Sequence, residues 1–139
     1  YLIQSDDEID ARCVDIEDRC YHILALQAPV ATDLRAVISA FKMTAEIERS
    51  ADLTVNICKA ARRIYGHELN PKLRGLIDKM SEQAQHLFAA AMEAYDESDA
   101  SKAAAIDDMD NFLDGLQRQF IQVIFESGMP TVELTQPLA

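Results

Sequence analysis

The chain has 139 residues, 49% of them hydrophobic, so it is long and apolar enough to bury the core of one domain and is not a disordered sequence. Its 24 acidic and 13 basic residues give a net charge of -11, which argues against nucleic acid or an anionic membrane surface as the main partner, because both would repel it. No apolar run is long enough to span a membrane, and the three cysteines have no CxxC spacing, so we expect a reduced, cytoplasmic protein without membrane insertion.

Apolar residues recur at helical spacing along almost the whole sequence, and no strand pattern competes with them. This periodicity predicts four helices, at residues 2–26, 32–65, 71–97 and 101–127. The predicted apolar stripe of the third helix is Leu73, Ile77, Met80, Ala84, Leu87, Ala91 and Ala94, and that of the fourth is Ile106, Met109, Leu113, Leu116, Phe120 and Val123. The connections between them are short, as in antiparallel helices. The predicted fold class is therefore all-α, a helical bundle.

Local signals set the helix boundaries. Pro29 breaks the first helix, and Thr32–Asp33 supplies a capping residue and an acidic first-turn residue for the second. Gly66 is expected to end the second helix. Asn70–Pro71 is a cap followed by proline at the first helical position, which marks the start of the third helix.

The first and fourth helices share a pattern when the sequence is shifted by 100 residues. Asp7 and Asp10 then coincide with Asp107 and Asp110, and the apolar register holds over four turns. This coincidence suggests the same element of two internal repeats. The alternative is that any two amphipathic helices can be aligned in this way.

The second helix carries acids where an apolar stripe is predicted. At 100° per residue, that stripe contains Leu34, Ile38, Phe41, Ala45 and Val55. Glu48, Asp52 and Asn56 project from the same stripe. Burying two neighbouring carboxylates without a cation is costly, so we expect a compensating charge there. Asn56 has a simpler alternative, as a hydrogen-bonded core amide.

The antiparallel arrangement brings further acids to this place. If the turn is centred near residues 28–29, Asp10 lies level with Glu48 and Asp6 lies level with Asp52. Four carboxylates without a basic partner form an oxygen-rich cation site. Taken alone, Asp6 and Asp10 would be read as surface residues.

Three other groups of charged or titratable residues serve as comparisons. Asp78 and Glu82 have the same spacing as Glu48 and Asp52 but lie opposite their helix's apolar stripe, which predicts a solvated pair. The three histidines are too far along their helices to be ligands. The basic residues near the end of the second helix are expected to complement its dipole: Lys59, Arg62 and Arg63.

The segment "LQAPVATDLRAVISAFKMTAEIERSADLTVNI", residues 26–57, resembles the PhoU family, the accessory proteins of phosphate-specific transport systems. The "DEID" near residue 7 and the "DDMD" near residue 107 resemble that family's repeated acidic element. The resemblance implies two three-helix bundles in tandem, each with an E/D-x-x-x-D motif for a metal cluster of iron or zinc, sometimes magnesium or manganese. Glu48 and Asp52 would then be the motif of the first repeat.

The resemblance also implies a domain organisation that is incomplete at both ends. Residues 1–66 would hold the last two helices of repeat one, and residues 67–139 the first two helices of repeat two. The second motif would fall outside this chain, which leaves Asp107 and Asp110 as weaker metal candidates without a visible partner pair. Leu53 stands where some family motifs have a histidine.

The function implied by the resemblance is regulatory rather than enzymatic. The chain would be a negative regulator in phosphate homeostasis that contacts the ATPase subunit of the phosphate transporter and the sensor kinase of the phosphate regulon. The residues alone leave two alternatives, a carboxylate-bridged metal enzyme and a purely structural interaction module. A second apolar row on the second helix, Leu53, Ile57 and Ile64, would be covered either by one compact four-helix bundle or by association between chains, and of the two we expect a homo-oligomer.

Overall fold

A computed structural model of the protein describes residues 6–66 and 68–127. These residues form four helices and no strand: α1 (Asp6–Gln27), α2 (Ala31–Arg63), α3 (Pro71–Asp96) and α4 (Ala100–Glu126). The predicted all-α class is confirmed, and the helix ends that the structure describes agree with the predicted ends to within two residues. Residues 2–5 of the predicted first helix lie outside the described residues.

The chain divides into two compact units, Tyr1–Gly66 and His67–Ala139. In the first unit α1 packs against α2, and in the second α3 packs against α4. Both pairs are antiparallel, because residues near the start of one helix lie beside residues near the end of its partner. The assignment of these units to two family repeats stays a prediction.

The helix boundaries confirm most of the local signals. The Asn70 side chain accepts a hydrogen bond from the Lys72 backbone N–H at 2.9 Å, and Pro71 follows at the first helical position. Gly66 has a φ of +90°, a left-handed conformation that suits glycine beyond the end of α2.

The predicted cap of α2 at Thr32 is wrong. The N-cap is Val30, which makes no side-chain capping hydrogen bond, and Thr32 already lies inside the helix. Ala28 and Ala31 both have positive φ, 45° and 49°, so the chain reverses direction within a few residues and α2 begins before Thr32. Asp33 remains an acidic residue of the first turn, as predicted.

The first unit has a core of small side chains. Cys13 and Cys20 of α1 and Thr44 and Val55 of α2 are its buried residues. The Cys13 thiol donates a long hydrogen bond to the backbone oxygen of Thr44, 3.8 Å from the sulfur. Side chains of this size let two helix backbones approach closely.

The face that α2 presents to α1 overlaps the predicted stripe at Phe41 and Val55 but not at its other members. Leu34 and Ile38 are 39% and 38% exposed, and Ala45 is exposed as well. The two buried residues of α2 are of modest size, Thr44 and Val55, and the half-buried ones are both small and large, among them Val37, Ala40, Phe41, Met43, Ile47 and Ala51. At 100° per residue, this face is rotated by roughly 80° from the predicted stripe. The prediction gave most weight to large aliphatic residues such as Leu34 and Ile38, whereas the most deeply buried positions are held by smaller ones.

The row formed by Leu53, Ile57 and Ile64 is exposed on α2. This exposure agrees with the second apolar row identified in the sequence. The homo-oligomer expected from it stays a prediction.

The second unit has a larger aliphatic core. Leu73 and Leu76 of α3 and Leu116 and Val123 of α4 form a buried cluster, with Met80, Phe120 and Ile124 packed against it. The predicted stripe of α4 is confirmed at Leu116 and Val123. On α3, Leu76 takes the inward position that periodicity assigned to Ile77, which is 39% exposed.

An ion-pair clamp closes the turn between α3 and α4. The Lys102 ammonium contacts the carboxylates of Glu93 and Glu97, with 2.8 Å between Nζ and the Glu97 oxygen. The contact with Lys102 lowers the pKa of Glu93, and the two carboxylates raise the pKa of Lys102. Asp99 adds the N-cap of α4 by accepting hydrogen bonds from the N–H groups of Ser101 and Lys102.

We predict that Lys102→Gln slightly lowers the melting temperature of the second unit at neutral pH. Because Lys102 lowers the pKa of Glu93, the stabilisation is complete above the carboxyl's ordinary pKa of 4.5 and is lost as the pH falls through its folded value. The difference between wild type and variant should therefore vanish in acid. Thermal melts by circular dichroism between pH 3 and pH 7 measure it, with Lys79→Gln on exposed α3 surface as the control. A difference that persists unchanged at pH 3 would contradict the ion-pair explanation.

Candidate metal site

The antiparallel packing of α1 and α2 brings the predicted carboxylates together as two neighbouring pairs. Cys13 contacts Thr44, and their residue numbers add up to 57. Facing residues of two antiparallel helices keep about the same sum, so this contact shows which other residues lie level with each other. The charge of Asp52 raises the pKa of Asp6, so these two acids lie near each other. The charges of Glu48 and Asp10 both raise the pKa of the Cys13 thiol, so these two acids lie near Cys13. Asp10 is about one turn further along α1 than Asp6.

The structure corrects where these acids lie relative to the core. Glu48, Asp52 and Asn56 are exposed, whereas Asp6 and Asp10 are half-buried. The rotation of α2 leaves its two carboxylates at the margin of the helix contact rather than inside it. The expectation that Glu48 and Asp52 are buried is therefore wrong, and the core-amide interpretation of Asn56 is wrong for the same reason.

Asp6 is the acid in the least favourable environment. Its Oδ1 atom is shielded from solvent and has no hydrogen-bond partner among residues 6–66 and 68–127. Burial is the largest cause that raises the pKa of Asp6, and the negative charges of Asp10, Asp52 and Asp7 raise it further. The positive charge of Lys59 lowers the pKa of Asp6, but it is the weakest of these influences. A proton or a bound cation would relieve this repulsion.

Cys13 was not identified as part of this region from the sequence. Burial raises the pKa of its thiol, and the charges of Glu48, Asp10 and Glu17 raise it further. The thiol is therefore held neutral and serves as a hydrogen-bond donor to Thr44. The i,i+3 spacing of Asp10 and Cys13 was the available signal, because it places both on one side of α1.

The donor chemistry of these acids fits a cation, but the donors do not form a closed shell. Within residues 6–66 and 68–127, no three His, Cys, Asp or Glu side chains gather closely enough to hold a metal ion. Glu48 and Asp52 are exposed and not fixed by packing, so their side chains are free to change rotamer. The face that carries Asp6, Asp10, Glu48 and Asp52, called here the acidic face, thus has one shielded carboxylate oxygen without a partner among the described residues, on Asp6, and no preformed coordination sphere.

The remaining candidates lie elsewhere. Asp107 and Asp110 are exposed on α4 and border a depression of about 540 Å³ between α3 and α4. Asp78 and Glu82 are exposed, as predicted. His22 and His86 are exposed, and His67 is not among the described residues. No helix in the described parts of the chain is long and apolar enough to cross a membrane.

We predict that Asp6→Asn raises the melting temperature of the first unit at neutral pH in the presence of a chelator. Because the pKa of Asp6 is raised in the folded state, its ionised form destabilises the fold above that pKa, and the penalty is lost as the pH falls towards the ordinary value of 3.8. The advantage of the variant should disappear in acid. Thermal melts across this pH range measure it, and the exposed Asp78→Asn serves as the matched control. A variant less stable than wild type at neutral pH would contradict the repulsion argument.

Comparison with known proteins finds a matching family model and several relatives of this chain. Residues 1–61 match the family model described as PhoU domain. The chain is 35% identical over 126 residues to "Phosphate-specific transport system accessory protein PhoU homolog 2" of Mycobacterium tuberculosis, covering 90% of this chain and 59% of the relative. It is 35% identical to homolog 1 of Mycobacterium leprae, over 90% of this chain and 57% of the relative.

A more distant relative aligns over a longer stretch. The PhoU homolog of Clostridium acetobutylicum is 27% identical over 140 residues, which covers 97% of this chain and 64% of the relative. The chain thus spans less than two thirds of each of these relatives. No solved structure matches it.

Proposed function

The resemblance of this chain to the PhoU family is confirmed over most of its length, and from that premise we propose that it is an accessory regulator of phosphate uptake. The observation that carries the proposal is the 35% identity over 126 residues to accessory proteins of phosphate-specific transport systems. This assignment makes the chain a regulator rather than an enzyme. Its partners would be proteins of the transport system rather than nucleic acid.

Two finer parts of the proposal follow from the family resemblance. The regulator would contact the ATPase subunit of the phosphate transporter and the sensor kinase of the phosphate regulon, and it would keep that regulon off when phosphate is plentiful. Its motifs "PVATDLR" and "IERSADLTVNI" lie in α2 and the turn before it. Both motifs fall in the unit that carries the acidic face.

A cation on the acidic face would be the metal component of this regulator. Asp6, Asp10, Glu48 and Asp52 would hold it. When bound, the metal would supply positive charge that relieves the repulsion around Asp6. Carboxylate oxygens are suited to magnesium or manganese and also bind iron and zinc, so the donor set alone leaves the metal open. Asp107 and Asp110 would contribute only if further carboxylates joined them.

We predict that adding a divalent or ferric ion raises the melting temperature of the wild-type chain, because a ligand that binds only the folded state stabilises it. At a free metal concentration of 100 times the Kd, the gain is about 2.7 kcal/mol. Glu48→Ala and Asp52→Ala should abolish this gain. Differential scanning calorimetry with manganese, zinc and iron, after treatment with a chelator, measures it.

Asp78→Ala is the control for this experiment, because Asp78 is an exposed helical acid of the second unit and not a member of the acidic face. It should keep the full metal response. An equal response in all three variants would exclude the acidic face as the site. Catalytic turnover on metal addition would instead favour a carboxylate-bridged enzyme, and the absence of any metal response would favour a structural module.

We predict that deleting the corresponding full-length gene switches on phosphate-starvation genes in phosphate-rich medium. Restoring the wild-type gene should switch them off again, and restoring the Asp52→Ala allele tests whether the acidic face is needed for signalling. Transcript levels of phosphate-starvation genes measure both effects. Unchanged regulation in the deletion strain would refute the regulatory assignment independently of the metal site.

A further inference from the structure

The apolar surface of α3 is wider than the part that packs against α4. A second line of apolar side chains runs along α3 at spacings of seven, four, three and four residues: Ile77, Ala84, Phe88, Ala91 and Tyr95. At 100° per residue, these positions fall within about 60° of one another, and all five are exposed. Spacings of three, four and seven residues are those by which one helix packs against another. α3 therefore has a second helix-packing surface beside the one that faces α4.

This second surface borders the depression of about 540 Å³ between α3 and α4, called here the groove. The aliphatic lining of the groove is half-buried and comes from both helices: Leu87, Ile106 and Leu113. Its small lining residues leave space above the helix backbones: Ala84, Ala91 and Ala103. The charged residues that line it, Asp107 and Asp110, are both acidic. The groove thus combines an apolar lining with negative charge on the side formed by α4.

Contacts on both sides of the groove hold its two helices together. Towards one end, Leu76 and Leu116 belong to the buried cluster of this unit. Towards the other end, Lys102 forms ion pairs across the turn between α3 and α4. Between them, the side-chain amide of Gln83 donates a hydrogen bond to the backbone oxygen of Met109, at 3.3 Å. The walls of the groove are therefore in place before a partner binds, which reduces the cost of ordering them.

We propose that the groove binds an amphipathic helix of a partner protein whose apolar stripe is flanked by lysine or arginine. Helices bind apolar grooves by inserting large side chains spaced three, four and seven residues apart. The three alanines of the groove give such anchors room, and Asp107 and Asp110 face the basic flank. From Ala103 to Leu113 the lining extends about 15 Å, which corresponds to about three turns of a bound helix.

Charge favours a basic partner over a second copy of this chain. Residues 67–139 contain 13 acidic and five basic residues. Between Lys102 and Arg118, α4 has four aspartates and no basic residue. Two copies that met through this groove would bring these acids against each other, and like charges at an interface are unfavourable. A helix of opposite charge instead gains from the same residues.

The inference does not rest on the proposed function. The groove lies in the second unit, whereas the acidic face lies in the first. Binding of a helix is measured in the presence of a chelator, so it requires no metal. Failure of the groove proposal would leave the metal response and the regulatory assignment untouched.

A titration of the 139-residue chain with a synthetic helical peptide tests the proposal. The probe is a 15-residue peptide with leucines along one face and lysines on both flanks. The first comparison peptide has glutamate in place of each lysine, and the second has the composition of the probe in scrambled order. Backbone amide NMR spectra at about 0.15 M salt, where screening limits the effect of distant charges, measure location and affinity. We expect saturable shifts at residues 84–91 and 103–113 with the probe, and binding at least about tenfold weaker with either comparison peptide, which corresponds to about 1.4 kcal/mol.

Two pairs of variants separate the groove from the general surface. Asp107→Asn/Asp110→Asn should weaken binding of the probe at least about fivefold, because two favourable charge pairs are lost. Asp78→Asn/Glu82→Gln removes the same charge from exposed positions of α3 that do not line the groove, and it should bind within about twofold of wild type.

The second pair tests the space in the groove. Ala91→Phe fills it and should weaken binding of the probe at least about tenfold, which corresponds to about 1.4 kcal/mol. Ala89→Phe adds the same side chain at an exposed position that does not line the groove, and it should bind as the wild type does. Thermal melts of all four variants without peptide report the stability of the fold separately from binding.

Any of four results would overturn the proposal. Equal weakening in the two charge variants would mean that the peptide responds only to overall charge. Equal affinity for the lysine and glutamate peptides, or for the scrambled peptide, would remove the basic helix as the occupant. The absence of binding, or shifts that map away from residues 84–91 and 103–113, would mean that the groove is no docking site. A dimer in sedimentation experiments that Ala91→Phe dissociates and Ala89→Phe does not would assign the groove to a second copy of the chain.

Discussion

The close approach of α1 and α2 is the constraint on which the rest of the first unit depends. Small residues line the contact, and the Cys13 thiol reaches the Thr44 carbonyl across it. This contact fixes the rotation of α2 about its axis. It also fixes which residues of α2 lie beside which residues of α1. Those two quantities decide which acids become neighbours and how far each is exposed. The acidic face is thus a consequence of helix packing rather than of any one motif.

The two units are stabilised by different means. The second unit buries leucine and valine side chains and closes its turn with Lys102 between two glutamates. The first unit buries cysteine, threonine and valine, and it carries a carboxylate oxygen on Asp6 that has no hydrogen-bond partner in the described part of the chain. Repulsion among acids therefore lies in the unit with the smaller buried side chains.

Charge is unevenly distributed along α2. Glu48 and Asp52 lie near its middle, and Lys59, Arg62 and Arg63 follow within the next three turns. The basic residues stabilise the helix end, while the acids contribute to repulsion across the contact with α1. One helix therefore presents surfaces of opposite sign to its surroundings.

The sequence by itself determined the number of helices, their class and most of their ends, because helical periodicity and caps such as Asn70–Pro71 are local properties. It also predicted that Asp6 lies level with Asp52, since a short turn between two helices fixes their level, and the charge of Asp52 does act on Asp6. The shared site of these acids with Asp10 and Glu48 stays a prediction. The tertiary structure alone decided the rotation of α2. Periodicity cannot rank small residues such as Thr44 above Leu34, because only the facing helix determines which surface allows the closest approach.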